Sequence, residues 1–180
     1  MTMTESTRAD WFLKVLQART AQLAIGPSTL RNQGAPKAVA NARDFLKELD
    51  LGSFKADVPG AFVVWLNEET EKLQNALPHG ARNWGTARKA LNIFLRDVLY
   101  NMYLCDEYRF RYVEPLLDLP LDSKAAKGLL AEPEGGSLAR WRNIKHLTAT
   151  VSHDYQNIAK QVAERRGIAR VHLDLIYWVA

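Results

Sequence analysis

Apolar residues along the chain recur at intervals of three and four, the spacing of one helix face, and almost nowhere in strict alternation. The pattern predicts a first helix over residues 11–25, with Asp10 as its cap and Trp11, Phe12, Val15, Leu16 and Leu23 as its apolar stripe. Gly26 and Pro27 break it, and Pro36 suits the first turn of a second helix ending at about residue 49. A third helix over residues 61–77 places Phe62, Trp65, Leu66 and Leu73 at helical spacing, with Glu68, Glu69, Glu71 and Lys72 as a solvated face. The broadest apolar surface comes next, on a helix expected from Thr86 as far as Tyr112. Pro115 and Pro120 close it, and Asp122 with Ser123 offers an N-cap for a helix beginning at Lys124. Residues 132–137, EPEGGS, are the most loop-like stretch, and helices are expected at 138–146, 152–166 and from 168 onward. Only residues 169–176 leave a short strand alternative. The fold class is all-α.

Composition narrows the partners more than the fold. With 180 residues, 47% hydrophobic and 24% charged, the chain has the make-up of an ordinary globular protein. Lys and Arg number 24 against 20 Asp and Glu, a net charge of +4 that permits nucleic-acid binding without requiring it. The single cysteine, Cys105, excludes a disulfide framework and any four-cysteine zinc or iron–sulfur site. No metal site and no cofactor are expected, since His146, His153 and His172 show no ligand spacing. No apolar run approaches the length of a membrane span, and the polar N-terminus does not read as a signal peptide, so a cytoplasmic protein without membrane contact is expected.

The candidate chemistry lies in residues 77–96, LPHGARNWGTARKALNIFLR, together with 119–126, LPLDSKAA. Gly80 and Gly85 flank a polar loop that runs into a helix. Free N–H groups in such a turn, with the positive end of the helix dipole, suit a phosphate. Arg82, Trp84, Gly85 and Arg88 are the residues of this turn expected to contact nucleic acid, with Trp84 alternatively pinning the loop to the core. Lys89 follows just inside it, and Asp122 stands at a later helix start. Arg88 and the helix terminus would both favour a neutral Lys89 amine.

These residues resemble the helix-hairpin-helix DNA glycosylases, and among them the small 8-oxoguanine glycosylases of archaeal type. Lys89, Ala90, Phe94, Leu95 and Arg96 stand in the family's pattern after the hairpin, and Asp122 stands where its essential aspartate opens a helix. Leu173, Asp174, Leu175 and Trp178 match a closing Leu-Asp-Leu-x-x-Trp segment. The resemblance covers roughly residues 77–180, with four residues between Gly80 and Gly85 in place of a compact turn and a long gap from Lys89 to Asp122.

The resemblance implies a two-lobed helical bundle, with residues 1–8 as a disordered tail and 9–180 as one domain holding the hairpin and cleft between its lobes. It implies an enzyme that flips a damaged or modified base from double-stranded DNA and cleaves its N-glycosidic bond, acting as a monomer. Asp122 would be catalytic and Lys89 a possible nucleophile; Tyr177 and Trp178 would line the base pocket. Asn32 and Gln33, in a polar loop after the first helix, would fill the gap left by the flipped base. Asp118 is the runner-up carboxylate, and Arg140, Arg142 and Lys145 form a possible phosphate-binding edge. The chain ends in Tyr177, Trp178, Val179 and Ala180 without the terminal lysine of the 8-oxoguanine enzymes, so another base is at least as good a substrate, in repair or in defence against modified phage DNA. The alternative is a non-catalytic DNA-binding module that keeps the hairpin alone.

Overall fold

The computed structural model describes residues 5–30, 36–54, 58 and 60–179, with side chains from Asp10 onward. Asn32 and Gln33 lie outside the described residues. Among those described, every regular element is helical.

The first helix, α1 (Glu5–Ala24), starts before Asp10 and takes in part of the expected tail. Its buried side is also not the one expected. Gln17, Thr20, Ala21 and Ala24 face inward with Leu13 and Leu16 at the margin, whereas Trp11, Val15 and Leu23 are exposed. The reason is a polar clamp: Gln17 Nε2 donates to the carbonyls of Leu46 at 3.0 Å and Leu49 at 2.7 Å. Those carbonyls lie at and just beyond the end of α2 (Ala38–Lys47), where Leu46 O also accepts from Leu49 N, and α2 buries Ala38, Ala42 and Leu46 at four-residue spacing. In α3 (Ala61–Ala76) the expected Phe62, Trp65, Leu66 and Leu73 are buried. Glu69, expected on the solvated face, is buried too, paired with Lys72 at 2.6 Å.

At the centre lies α4 (Trp84–Tyr100), two residues longer at its start than expected because Asn83, whose side chain accepts from Thr86 N, is the cap. Its apolar residues Ala87, Ala90, Leu91, Phe94, Leu95 and Val98 are fully enclosed. The long helix expected through Tyr112 breaks at Asn101. The Asn101 side chain turns back to accept from Leu104 N, capping a separate α5 (Met102–Glu107). Arg109, with φ 56°, turns the chain again into α6 (Phe110–Val113). Capping by a polar side chain, rather than any loss of apolar spacing, divides this run.

Extended residues 117–121 then lead to α7 (Ser123–Ala131). The expected helix over 138–146 is absent; only a 3₁₀ turn, Ile144–His146, forms there. Next, α8 (Ala149–Arg166) begins at its Thr148 cap, ahead of the expected Ser152, and ends at Gly167, with φ 68°. A 3₁₀ turn, Arg170–His172, opens α9 (Leu173–Val179), resolving the strand ambiguity as helix. Two apolar clusters result. One joins α1 through α6, with Val171 from the C-terminal part; the other joins α7, α8, α9 and Leu147.

Candidate active site

Buried polar contacts fix how the extended segment between the two clusters meets α4. Gln156 of α8 holds both backbone groups of Leu119, accepting from its N–H at 2.9 Å and donating to its C=O at 2.8 Å. Beside it, Asp118 accepts from Arg88 of α4 through Oδ2 and from Arg170 through Oδ1, the latter at 2.7 Å. Arg88 also donates to Leu66 O, Asn67 and Thr70 of α3. This segment is thus tied to α4 and α8 at the successive residues Asp118 and Leu119, and through Arg88 to α3, and Asp122 lies three residues on.

Asp122 meets Lys89. The Nζ atom of Lys89 lies 3.8 Å from Asp122 Oδ2, and it donates to the carbonyl of Thr29 at 3.0 Å. The other oxygen of Asp122 caps α7, accepting from the N–H groups of Lys124 and Ala125 at 2.9 and 3.0 Å. One carboxylate therefore serves both the helix and the cleft. Burial lowers the Lys89 pKa below 10.5, against the opposing pull of Asp122 and Asp174. The cause expected from the sequence was Arg88 and the helix terminus; Arg88 in fact turns away toward Asp118.

Lys89 and Asp122 open onto a cleft of ≈ 1040 Å³. Its walls come from the turn after α1 (Ser28, Thr29), the Lys89–Ile93–Arg96–Tyr100 face of α4, residues 141–145, and α9. Arg96 donates from Nη1 to Asp174 and from Nε and Nη2 to Asp97, at 2.9 and 2.7 Å. Burial raises the pKa of Asp174, and Arg96 counteracts the shift. Across the cleft, Lys124 Nζ lies 4.5 Å above the ring of Trp178 and donates to its carbonyl. Trp141 also lines the cleft, and Arg142 and Lys145 stand exposed at its edge.

Of the residues expected at the site, Lys89, Asp122 and Trp178 share this cleft. Four others are placed differently. Arg88 is buried and held by Asp118, so it presents no charge to a phosphate. Gly85 is covered: a Cβ there would lie 2.2 Å from Ile144 O and 2.7 Å from Leu147 Cβ, so residues 144–147 run directly over the start of α4. Tyr177 faces into the second apolar cluster, its ring against Gly128 and its hydroxyl donating to Glu132, not into the cleft. Asp118, the second-choice carboxylate, is enclosed between two arginines. Arg82 is exposed and donates to Leu77 O, and Trp84 packs against the second cluster beside Arg88.

Asp174 was expected from the sequence as a helix-capping or pocket residue, whereas its partners Arg96 and Asp97, and Tyr100, were given no place in the site. Lys89, Ile93, Arg96 and Tyr100 repeat at four, three and four residues along α4, which is the signal that could have joined them to Lys89. No metal-binding group of three or more His, Cys, Asp or Glu occurs among the described residues, and no helix there is long and apolar enough to cross a membrane. Comparison with family models, curated proteins and solved structures gives no match to this chain.

Proposed function

We propose that this chain is a DNA glycosylase of the helix-hairpin-helix kind, its two apolar clusters corresponding to two lobes with the active-site cleft between them. It takes a modified base out of double-stranded DNA and cleaves the N-glycosidic bond. The observation that carries the reading is the 3.8 Å approach of Lys89 Nζ to Asp122 Oδ2 at one cleft, from segments far apart in the chain.

The chemistry follows from these groups. As the bond between C1′ and the base nitrogen breaks, its electron pair leaves with the base and positive charge develops on the sugar. Asp122 Oδ2 supplies the counter-charge. In one route Asp122 takes a proton from a water whose oxygen attacks C1′, and an abasic site results. In the other the Lys89 amine attacks C1′ and gives up a proton. The nitrogen lone pair then forms the imine as the C1′–O4′ ring bond breaks, its electron pair going to O4′, which takes up a proton, and from this imine the strand can be nicked. The lowered pKa of Lys89 favours the amine that this second route needs. Trp178 and Trp141 offer aromatic faces for the flipped base, and Arg142 and Lys145 offer positive charge to the backbone.

Duplex oligonucleotides carrying oxidised, alkylated or hypermodified bases test the proposal directly. Release of free base from at least one is expected; intact substrates throughout would remove it. The non-catalytic alternative draws on the capping role of Asp122 Oδ1. It predicts DNA binding without base release in the same assay.

A further inference from the structure

Tyr100 is the one residue that lines both the cleft and a second cavity of ≈ 430 Å³ behind it, among the cavity-lining residues described. Its hydroxyl lies 2.8 Å from His172 Nδ1, with the two rings nearly parallel, and His172 Nε2 lies 2.8 Å from Glu114 Oε1. Glu114 lines the second cavity only, where Arg111 Nη1 stands 4.0 Å from its other oxygen.

The direction of these hydrogen bonds follows from what each group can do. A carboxylate only accepts, so Nε2 of His172 carries a proton and donates to Glu114. In the neutral ring Nδ1 is then a bare lone pair, and the Tyr100 hydroxyl must donate to it. What Tyr100 still offers the cleft is oxygen lone pairs. Asp97 and Asp174 beside it also present acceptors, while Lys89 and Arg96 are the donors of that wall. Arg96 donates one N–H from each of its three nitrogens to Asp97 or Asp174 and keeps one on each Nη, so the acceptors on this wall are the carboxylate lone pairs and the Tyr100 oxygen.

We propose that Tyr100, oriented through Glu114 and His172, is a specificity-determining residue that accepts a hydrogen bond from an N–H group of the bound base. This inference rests on the glycosylase reading and names the class of base that suits it: one with an amino or ring N–H donor at the edge facing α4. A base that offers only acceptors there would set lone pair against lone pair and lose the hydrogen bond.

The test uses two pairs of deoxynucleosides, each pair differing by one exocyclic amino group. These are deoxyguanosine against deoxyinosine, and deoxyadenosine against purine deoxyriboside. Binding at pH 8 is read from the change in tryptophan fluorescence, Trp141 and Trp178 being the two of the five tryptophans that line the cleft. The wild-type chain should prefer the amino member of at least one pair by about fivefold, the worth of one hydrogen bond. Tyr100→Phe, at a half-exposed position and with its fold checked by circular dichroism, should abolish that preference while nucleosides still bind. Glu114→Gln, outside the cleft, should weaken the preference too, because an amide can donate to Nε2 and move the imidazole proton to Nδ1. Nitrogen-15 spectra of His172 should show protonated Nε2 in the wild type and lose that tautomer in Glu114→Gln. Equal binding within both pairs, or a preference that survives Tyr100→Phe, would overturn the role of Tyr100 and leave the glycosylase reading to the base-release assay. Failure of every nucleoside to bind would overturn the cleft as a base pocket, and Tyr100's role with it.

Discussion

Lys89 and Asp122 meet at the cleft with one oxygen of Asp122 held by α7 and the other left to Lys89. The division of labour makes the charge of Asp122 separable from its cap. Asparagine caps helices about as well as aspartate, and its side-chain oxygen can keep the bonds to Lys124 N and Ala125 N. Asp122→Asn should therefore melt close to the wild type while base release falls by about 100-fold or more. Near-normal release in a folded Asp122→Asn protein would show that Asp122 is not the catalytic carboxylate. Attention would then move to Asp97 and Asp174, which line the cleft, and not to Asp118, which does not.

Lys89 separates the two routes. If its amine attacks C1′, borohydride should trap a covalent protein–DNA adduct, and Lys89→Gln should lose trapping and base release together. If base release survives in Lys89→Gln, water is the nucleophile. The pH dependence carries a sign. Burial lowers the Lys89 pKa, so the folded protein gives up this proton before an ordinary lysine at 10.5 would. Trapping should rise with pH and level off below 10.5. In that same interval the unfolded chain holds more protons at this lysine than the folded one, so its contribution makes the fold more stable as pH rises. A trapping profile that climbs only at 10.5 or above would mean that Lys89 is not desolvated during the reaction.

The buried ion cluster under the cleft should be a large stability element. Asp118 is nearly enclosed, with Arg88 on one oxygen and Arg170 on the other. Asp118→Ala leaves two arginines without their carboxylate, one of them itself buried, and should cost about 3–5 kcal/mol in urea denaturation. The segment 117–121 would loosen with it, so base release should fall as well, without Asp118 touching the substrate. A loss below about 1 kcal/mol would mean that solvent already screens the cluster.

How much of this was legible in the sequence depended on the kind of signal. Apolar periodicity located α3 and α4 and their buried residues, because burial of Phe62, Leu66, Ala90 and Phe94 depends only on helical spacing. It misjudged α1, where Trp11, Val15 and Leu23 form a plausible stripe but Gln17 sets the orientation through carbonyls of a different helix. It also ran α4 through Asn101, since the apolar spacing continues and only a side-chain cap interrupts it. At the site, residue type and order brought Lys89 and Asp122 forward. Direction was not legible. Arg88 and Lys89 are neighbours in the sequence, yet their side chains diverge, one into a buried ion cluster and the other into the cleft. Tyr177 and Trp178 part in the same way.

On the glycosylase proposal, the structure moves the expected phosphate-binding surface away from the turn before α4. The turn before α4 was expected to provide it, but Gly85 lies under Ile144 and Leu147, and Arg88 is buried. The covering segment itself is basic. Arg140, Arg142 and Lys145 are exposed, none forms an ion pair among the described residues, and Arg142 and Lys145 border the cleft that holds Lys89. A phosphate seated there would lie beside the reacting sugar. Affinity for duplex DNA should therefore fall steeply with salt and depend little on sequence. Replacing Arg142 and Lys145 together by Ala should flatten the slope of log affinity against log salt by about 2, one counterion for each lost contact. Arg82→Ala, on the turn itself, is the comparison: its effect should be smaller, because Arg82 is turned toward Leu77 O and does not line the cleft. Fluorescence-anisotropy titrations at several salt concentrations measure both slopes. An unchanged slope in the Arg142/Lys145 double variant, with a flattened one in Arg82→Ala, would return the DNA backbone to the turn before α4 and remove residues 140–145 from the interface.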